Sequence, residues 1–532
     1  MPETRPATAD QQLVPGDGAD QASADRDEIA SVIRRHPAVA DVAVIERTAA
    51  KGGQELVALV VPASSASVDT GASQQAQVDD WGRLFEQMYG RGGTDVPATA
   101  PLGDDFGGWN SAYDGRPLPR EQMAQWRDAT VERIASSRQK RILEIGVGKG
   151  LLLAPLIGDV ETYWATDISP AAVSTLRHQL DAWPELAGRV ELRAQPAHVF
   201  DGLPTGFFDV VVLNSVAQYF PDADYLSTVL RSALTLLAPD GAVFVGDVRN
   251  LRLQRTFETA VQATRAKPGQ ERADVLAAVD QRARQETELL VDPEFFDGLV
   301  GRDGFYRVTG VDVRIKRGRY SNELNRYRYD VTLHTARPRD AAGIPRRDWA
   351  QDVRDLNALQ SLLIEAWPDG ARVTGVPNGR MAHEAEAARL LAVGEPLAQA
   401  RRELERLDEE IGVDPEALYE LGAAFGYRTA VTWSGDAEDG SLDVVFLPQT
   451  EDLVPSAAEG EEALSGVYLS SAGAASTAGT AAAAARPLTN DPGGVRRAGQ
   501  LTRALRTHLR ENLPSRLGPV AVVVVEELPD RP

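Results

Sequence analysis

From about residue 79 to residue 337, the spacing of apolar residues alternates between that of strands and that of helices. Short apolar runs predict strands at 141–145, 162–166, 189–193, 208–213, 241–246, 306–315 and 326–335. The segments between the first five of these strands have helical spacing. This alternation predicts an α/β domain in which a largely parallel sheet has helices on both faces.

The two ends of the chain each have a small α+β pattern that is too short to enclose a core alone. Residues 26–62 predict a helix and a hairpin, and residues 488–532 predict a helix and a strand. We expect these halves to pack together as one small subdomain, with the rest of the chain inserted between them. Two independent appendages are the alternative.

Composition separates the remaining segments. Residues 1–25 are polar and acidic and predict a disordered tail, whereas residues 63–78 and 470–487 have the composition of linkers. Residues 338–469 predict a mostly helical accessory region with one pair of strands.

Charge and residue usage exclude several classes of function. The 78 acids and 56 bases give a formal net charge of -22, which disfavours nucleic-acid and anionic membrane partners. The chain has no cysteine, which excludes disulfides and thiolate chemistry, and its six histidines lack metal-ligand spacing. We therefore expect no metal site. We also expect a cytoplasmic protein without a membrane-spanning segment.

A glycine-rich turn follows the first strand of the α/β domain in the stretch "RILEIGVGKGLLL" (141–153). Gly146, Gly148 and Gly150 alternate with other residues, and Glu144 precedes them. A P-loop is excluded because Leu143 and Gly150 occupy two of its required positions, and the dinucleotide spacing G-x-G-x-x-G fits poorly. Glycine here predicts close approach of a ligand to the main chain.

The second strand ends with Asp167, whose carboxylate is suited to accept hydrogen bonds from ribose hydroxyls. Together, the strand, the E-x-G-x-G-x-G turn, the helix and this acid resemble the S-adenosylmethionine site of class I methyltransferases. The alternative is an α/β domain that has a glycine turn and no nucleotide.

Longer stretches make the resemblance closer. "GWNSAYDGRPLPREQMAQW", "FDVVVLNSVAQYFPDADYL", "VFVGDVRNL" and "RGRYSNELNRYRYDVTLH" resemble methyltransferase domains embedded in nonribosomal peptide synthetases. "RDEIASVIRRHPAVADVAVIER" and "LRENLPSRLGPVAVVVVEELP" resemble the small C-terminal subdomain of an adenylation domain, which the methyltransferase interrupts in that family. The chain departs from the family by lacking its large ATP-binding part and by ending before its catalytic lysine segment, so we expect no ATP-dependent activation of amino acids.

The resemblance and the strand ends together nominate site residues. For the cofactor, S-adenosylmethionine, the candidates are Glu144, Gly146, Gly148, Gly150, Asp167, Ile168, Asn214, Ser215, Met123 and Trp126. For catalysis and substrate, they are Asp247, Asn214, Tyr113, Gln218, Tyr219, Arg249, Asn250 and Glu323.

These nominations have specific grounds and alternatives. We expect Asp247, at the end of the fifth strand, to accept a proton or to orient an amine. Met123 and Trp126 share a helix face, and core packing is the alternative for both. Arg249 has the alternative of an ordinary ion pair, and Glu323 that of a solvated loop acid.

The resemblance implies methylation of the backbone α-nitrogen of an aminoacyl or peptidyl substrate, carried by a partner synthetase. One alternative is a free-standing enzyme that methylates nitrogen or oxygen on a free small molecule. Another is an inactive module that docks to a synthetase.

Overall fold

The computed structural model describes residues 17–48, 54–63, 70–92, 101–136, 139–366, 369–406, 411–435, 437–449, 462–470, 486–517, 519–525 and 527–529. Most of the expected linker at 470–487, and the expected tail up to residue 16, lie outside these residues. The chain divides into two compact units, one formed by Met1–Gln75 with Gly493–Pro532 and the other by Ala76–Pro492.

The described strands, in chain order, are β1 (Val39–Thr48), β2 (Gln54–Pro62), β3 (Arg141–Ile145), β4 (Thr162–Asp167), β5 (Val190–Ala194), β6 (Phe208–Asn214), β7 (Leu237–Arg249), β8 (Gly310–Ile315), β9 (Arg328–His334), β10 (Arg339–Asp340), β11 (Arg346–Asp348), β12 (Ala371–Val376), β13 (Tyr427–Trp433), β14 (Leu442–Pro448), β15 (Leu464–Ser465) and β16 (Ala521–Val524).

The described α-helices, in chain order, are α1 (Asp17–Arg34), α2 (Thr70–Gly92), α3 (Arg120–Ala135), α4 (Leu153–Leu156), α5 (Pro170–Leu180), α6 (Pro184–Ala187), α7 (Ala223–Leu236), α8 (Gln254–Arg265), α9 (Arg272–Arg284), α10 (Pro293–Asp297), α11 (Glu323–Tyr327), α12 (Leu356–Glu365), α13 (Ala382–Ala392), α14 (Leu397–Leu404), α15 (Pro415–Ala424) and α16 (Pro492–Asn512).

The smaller unit joins the two ends of the chain in one three-stranded sheet. Strands β1 and β2 pair antiparallel, and β16 adds in parallel to β2, so that Ala521 lies opposite Val57. Ile29 and Ile33 of α1 share a core with Leu501, Leu505 and Leu509 of α16. Neither half encloses this core alone, because its apolar side chains come from both ends of the sequence.

The larger unit contains a seven-stranded sheet in the order β5-β4-β3-β6-β7-β9-β8. The first five strands of this order pair in parallel, whereas β9 pairs antiparallel with both β7 and β8. This is the class I methyltransferase arrangement expected from the sequence.

Side-chain alternation along the central strands explains why both faces of this sheet are covered. Leu143 and Ile145 of β3 belong to one apolar core, and Ile142, just before them, belongs to the core on the opposite face. In β6, Val211 belongs to the first of these cores and Val212 to the second, because successive side chains of a strand point to opposite faces. A strand that is buried on both faces is a continuous apolar run in the sequence, which is why these strands could be predicted.

Several boundaries differ from the expectation. Helix α1 begins at Asp17, inside the segment 1–25 that was expected to be a disordered tail. Helix α2 begins at Thr70, inside the expected linker 63–78, and continues to Gly92. Both segments are polar on average, and their few apolar side chains at helical spacing were too sparse to predict a helix.

The accessory region contains more sheet than the expected single strand pair. Strands β11 and β12 join that pair in a four-stranded sheet of order β11-β12-β14-β13. The short β12, "ARVTGV", was missed because it lies between two helical patterns and contains a glycine at positive φ, Gly375.

Candidate functional site

A cavity of about 240 Å³ lies at the carboxyl ends of the parallel strands. In open α/β sheets this is the edge at which ligands bind. Of the expected cofactor residues, those that line it are Glu144, Gly146, Gly148, Asp167, Ile168, Asn214, Ser215 and Trp126. Tyr219, an expected substrate residue, also lines it. We call this space the cofactor cavity.

The glycine turn is anchored to the neighbouring strand. The backbone nitrogens of Gly146 and Val147 both donate to the carbonyl oxygen of Thr166, at 2.8 and 3.0 Å. Gly146 has a φ of 82°, and a Cβ at this position would lie 2.3 Å from Cγ2 of Val216. Both the backbone conformation and the close packing therefore require glycine here.

Asp167 holds the same turn from the tip of β4. Its Oδ2 accepts from the backbone nitrogen of Gly148, and its Oδ1 accepts from that of Ser169, both at 2.8 Å. Burial raises the pKa of Asp167, and the two backbone hydrogen bonds oppose that rise. A carboxylate has about four acceptor positions, so the group retains capacity for ligand hydroxyls.

Glu144 lines the cavity from β3, and its carboxyl group is turned to a protein partner. Its Oε2 accepts from the hydroxyl of Tyr163 at 2.7 Å. Burial raises the pKa of Glu144 to about 8, against the lowering effect of that hydrogen bond. Glu144 therefore supports the floor of the site, and we assign it no direct ligand contact.

An aromatic wall that the sequence analysis missed closes one side of the cofactor cavity. Trp81, Phe85 and Tyr89 of α2 line it together with Tyr219. The ring centroid of Tyr219 lies 4.7 Å from that of Trp81 and 4.9 Å from that of Phe85. The only available signal was the spacing of these aromatic residues at successive turns of one helix face, within a segment assigned partly to a linker.

Asp247 lies differently from its expected position. Strand β7 continues past it to Arg249, and Asp247 occupies an irregularity in the pairing with β9, with a φ of 63°. Its carboxylate is completely buried and accepts from Trp126 Nε1 at 3.0 Å, Ser215 Oγ at 2.7 Å and Arg328 Nη1 at 2.5 Å.

These partners argue against the expected role of Asp247 as a proton acceptor. Burial alone would raise its pKa, but the charges of Arg328 and Lys316 and two hydrogen bonds lower it below the ordinary value. A carboxylate so stabilised in its ionised form is a weak base. Asp247 is better suited to position Trp126 and Ser215, which face the cofactor cavity.

Asn214 supplies a specific test of whether the cavity suits a ligand. Its Oδ1 is buried and has no hydrogen-bond partner among the described residues, although the residue lines the cavity. Buried amide oxygens without a partner are costly, and a ligand that donates a hydrogen bond would satisfy this one. Together with the turn and Asp167, it fits a ligand with an ammonium group and ribose hydroxyls.

A second cavity, of about 370 Å³, contains other expected substrate residues. Arg249, Asn250 and Glu323 line it, and Trp109 lines both this cavity and the cofactor cavity. Arg249 Nη1 is paired with Glu286 at 2.9 Å and Glu288 at 2.8 Å, as its ion-pair alternative anticipated.

The remaining nominated residues do not line either cavity. Met123 is fully buried in an apolar cluster, and Gly150 packs so that a Cβ would lie 2.9 Å from Leu176. Gln218 donates to the carbonyl oxygen of Ser215 at 3.0 Å. The hydroxyl of Tyr113 donates to Glu384, at 2.5 Å, and this pairing removes it from the expected catalytic set.

The described residues hold neither a candidate metal cluster nor a candidate membrane-spanning helix. No cluster of histidine, aspartate and glutamate side chains there has the arrangement of a metal site. Likewise, the described helices include none with the length and apolar character needed to cross a membrane.

Known protein families match two parts of the chain. Residues 143–243 match a methyltransferase domain, and residues 28–83 match the C-terminal domain of AMP-binding enzymes. The chain thus has an S-adenosylmethionine-dependent methyltransferase domain together with part of an AMP-binding C-terminal domain, as its motifs indicated.

The sequence relatives are synthetases much longer than this chain. A probable non-canonical nonribosomal peptide synthetase, CymA, from Salinispora arenicola is 35% identical over 508 residues, which are 95% of this chain and 6% of the relative. Chondramide synthase cmdD from Chondromyces crocatus is 36% identical over 81% of this chain and 11% of its own length. Beauvericin synthetase from Beauveria bassiana is 32% identical over 79% of this chain and 14% of its own length.

Solved structures with some similarity include methyltransferases. The N-methyltransferase NodS from Bradyrhizobium japonicum is 17% identical, with a TM-score of 0.25, over 40% of this chain and 94% of its own. Magnesium protoporphyrin IX methyltransferase from Synechocystis is 14% identical, with a TM-score of 0.29, over 42% of this chain and 91% of its own.

Proposed function

We propose that this protein methylates the α-nitrogen of an aminoacyl or peptidyl substrate in the biosynthesis of a nonribosomal peptide or a related product. The observation that carries the proposal is the cofactor cavity itself. There the glycine turn, Asp167 and the unpartnered Oδ1 of Asn214 converge at the carboxyl ends of β3, β4 and β6. Its synthetase relatives support a peptide-forming context.

The residues of the cavity have distinct roles in holding S-adenosylmethionine, which supplies a methyl group activated by a sulfonium. Asp167 accepts from the ribose hydroxyls, and the bare main chain at Gly146 and Gly148 permits close approach. Asn214 Oδ1 accepts from the ammonium of the methionine part. The aromatic wall favours a cationic ligand through its ring faces.

Catalysis by this site depends mainly on alignment and on exclusion of water. An α-amino group has a pKa of roughly 7.7–8.0, so a useful fraction is unprotonated near neutral pH without a dedicated strong base. Asp247 fixes Trp126 and Ser215, and Tyr219 stays protonated because burial and the charge of Glu288 raise its pKa to about 12. Both groups shape the site without taking the proton.

The wider context follows from the same proposal. A carrier-bound acyl group is the expected form of the substrate, and a synthetase is the expected partner, because the relatives are synthetases. The cytoplasm is the compartment that we propose, in keeping with a chain that has no cysteine.

The test is incubation with isotopically labelled S-adenosylmethionine and a panel of free and carrier-loaded amino acids, with fragmentation mass spectrometry to locate the added methyl group. We expect label on the α-nitrogen of a carrier-loaded member. Label confined to free small molecules would instead select a free-standing enzyme, and the absence of S-adenosylmethionine binding by calorimetry would reduce the chain to a docking module.

A matched pair of variants tests the cofactor assignment in the same assay. Asp167→Ala should weaken S-adenosylhomocysteine binding by at least about tenfold, the effect of losing a charge-assisted hydrogen bond. Asp181→Ala is the control, because Asp181 is an exposed acid at the end of α5 and does not line the cavity. Equal affinities in the two variants would contradict the assignment.

A further inference from the structure

The second cavity lies next to the cofactor cavity and has a different chemical character. Trp109 lines both spaces, and its ring centroid lies 5.2 Å from that of Trp126. The guanidinium of Arg328 lies over the same Trp109 ring, 5.7 Å from its centroid, and lines the second cavity. The two cavities therefore adjoin at the Trp109 side chain.

We propose that this second cavity binds the acceptor, as an α-aminoacyl group with an aliphatic or aromatic side chain. The proposal rests on the proposed function and specifies its substrate class. Three features support it, namely the carboxylates at one side of the cavity, its apolar wall and its balanced charge.

The carboxylates of Glu286 and Glu288 form the amine-binding side. Arg249 Nη1 holds both of them, and its side chain is only 14% exposed, so the pair is fixed in place. Each carboxylate keeps acceptor positions beyond the contact with Arg249, and an unprotonated α-amino group supplies two matching N–H donors while its lone pair stays free to attack.

The same segment is tied directly to the wall of the cofactor cavity. The backbone nitrogen of Leu289 donates to the carbonyl oxygen of Gln218 at 2.7 Å, one residue before Tyr219. Asn490 Nδ2 donates to the carbonyl oxygen of Glu288 at 2.8 Å. An amine held by Glu288 would thus lie on the side of the cavity nearest the proposed methyl donor.

The apolar part of the lining suits an uncharged side chain. Its residues are Leu118, Leu253, Val261, Phe257, Leu290 and Leu324. A volume of about 370 Å³ is in the usual range for small-molecule sites, and these apolar side chains share the lining with charged groups.

The charged lining is balanced, which disfavours strongly charged ligands. The acids are Glu258, Glu286, Glu288 and Glu323, and the bases are Arg249, Arg265, Arg282 and Arg328. A polyphosphate or an acidic side chain would meet as many carboxylates as guanidiniums, whereas an aminoacyl group with one amine and one carbonyl has no such conflict.

The test compares Glu288→Gln with Glu294→Gln. Glu294 is a matched control because it also pairs with an arginine, Arg252, has a similar exposure and lies outside both cavities. The probes are leucyl, phenylalanyl, lysyl and aspartyl thioesters of N-acetylcysteamine. Their binding is measured by calorimetry in the presence of S-adenosylhomocysteine, and their KM in the methylation assay.

We expect the leucyl and phenylalanyl probes to bind best to the wild-type protein. Glu288→Gln should weaken that binding and raise KM by about tenfold or more, because a charge-assisted hydrogen bond is lost, and should leave S-adenosylhomocysteine affinity within about twofold. Glu294→Gln should change neither quantity. A second variant, Gln254→Phe, fills the cavity from α8 and should block the probes while cofactor affinity is kept.

Each contrary result would refute a different part of the proposal. Unchanged probe binding in both Glu288→Gln and Gln254→Phe, with methylation intact, would refute the acceptor site and leave the proposed function standing. Preference for the aspartyl or lysyl probe would refute the side-chain class. A protein that binds no S-adenosylhomocysteine would refute the proposed function first.

Discussion

The buried Asp247–Arg328 pair offers the sharpest test of how the site is built. Asp247 is completely buried, and the side chain of Arg328 is 16% exposed. Asp247→Asn keeps the size of the side chain and removes the negative charge. It leaves Arg328 without its close counter-ion and weakens the contacts to Trp126 Nε1 and Ser215 Oγ, which now face an amide that accepts through one atom only.

The expected loss of stability is large for a single isosteric change. Removing one member of a buried ion pair typically costs about 3–5 kcal/mol, because the remaining charge is left desolvated. The control is Asp280→Asn, since Asp280 pairs with Arg255 at 2.7 Å but both side chains are substantially exposed. Exposed pairs contribute roughly 0–1 kcal/mol, so the control should be almost neutral.

The assay is thermal and urea unfolding of both variants, with Arg328→Gln and the double variant Asp247→Asn/Arg328→Gln completing a cycle. The double variant should be less destabilised than the sum of the single variants, since no unpaired charge remains. Equal stability losses in Asp247→Asn and Asp280→Asn would refute the argument. So would a methylation pH profile from which Asp247→Asn removed one limb, because that limb would identify Asp247 as the base.

Three further predictions address separate features. Gly146→Ala should weaken S-adenosylhomocysteine binding by at least about tenfold, because its Cβ would collide with Val216, whereas Gly158→Ala, which has open space, should not; calorimetry decides between them. Glu144→Gln should become increasingly more stable than the wild type as pH rises from 4.5 to about 8, and by a constant margin above that. The sign follows because burial raises the folded-state pKa of Glu144, so its contribution is present at low pH and lost as the pH approaches that value; a pH-independent difference in Tm would contradict it. Glu384→Gln should cost about 3–5 kcal/mol in unfolding experiments, since its buried carboxylate accepts from three side chains, whereas Glu386→Gln on the exposed face of α13 should be nearly neutral. Similar losses in these two variants would show that the buried cluster contributes little.

Much of the architecture could be predicted from the sequence. The strands β3, β4 and β6 were predicted to within about one residue, because each is an apolar run buried on both faces and bounded by turn residues. The same reading located Asp167 and Asn214, since the carboxyl ends of parallel strands meet at one edge of the sheet. The last two strands, β8 and β9, were also predicted, although β8 begins later than expected.

The hydrogen-bond and ion-pair partners of individual side chains were much harder to predict from the sequence. The aromatic wall was missed because α2 begins in a polar, linker-like segment. Asp247 was expected to accept a proton or to orient an amine because the sequence shows that an acid ends an apolar run, but it does not show the Arg328 guanidinium beside that acid. Tyr113 was nominated for catalysis, and the sequence does not show that its hydroxyl donates to Glu384 of the accessory region.

The sequence by itself therefore determined the order of helices and strands, the glycine turn and the acid at the tip of β4. These features depend on residues one to four positions apart. Their periodicity and their backbone freedom can therefore be inferred from the sequence. The tertiary structure alone decided which side chains meet. Trp126 and Asp247 are 121 positions apart, and Tyr113 and Glu384 are 271 apart, so their contacts exist only after the chain has folded and their protonation states follow from that packing.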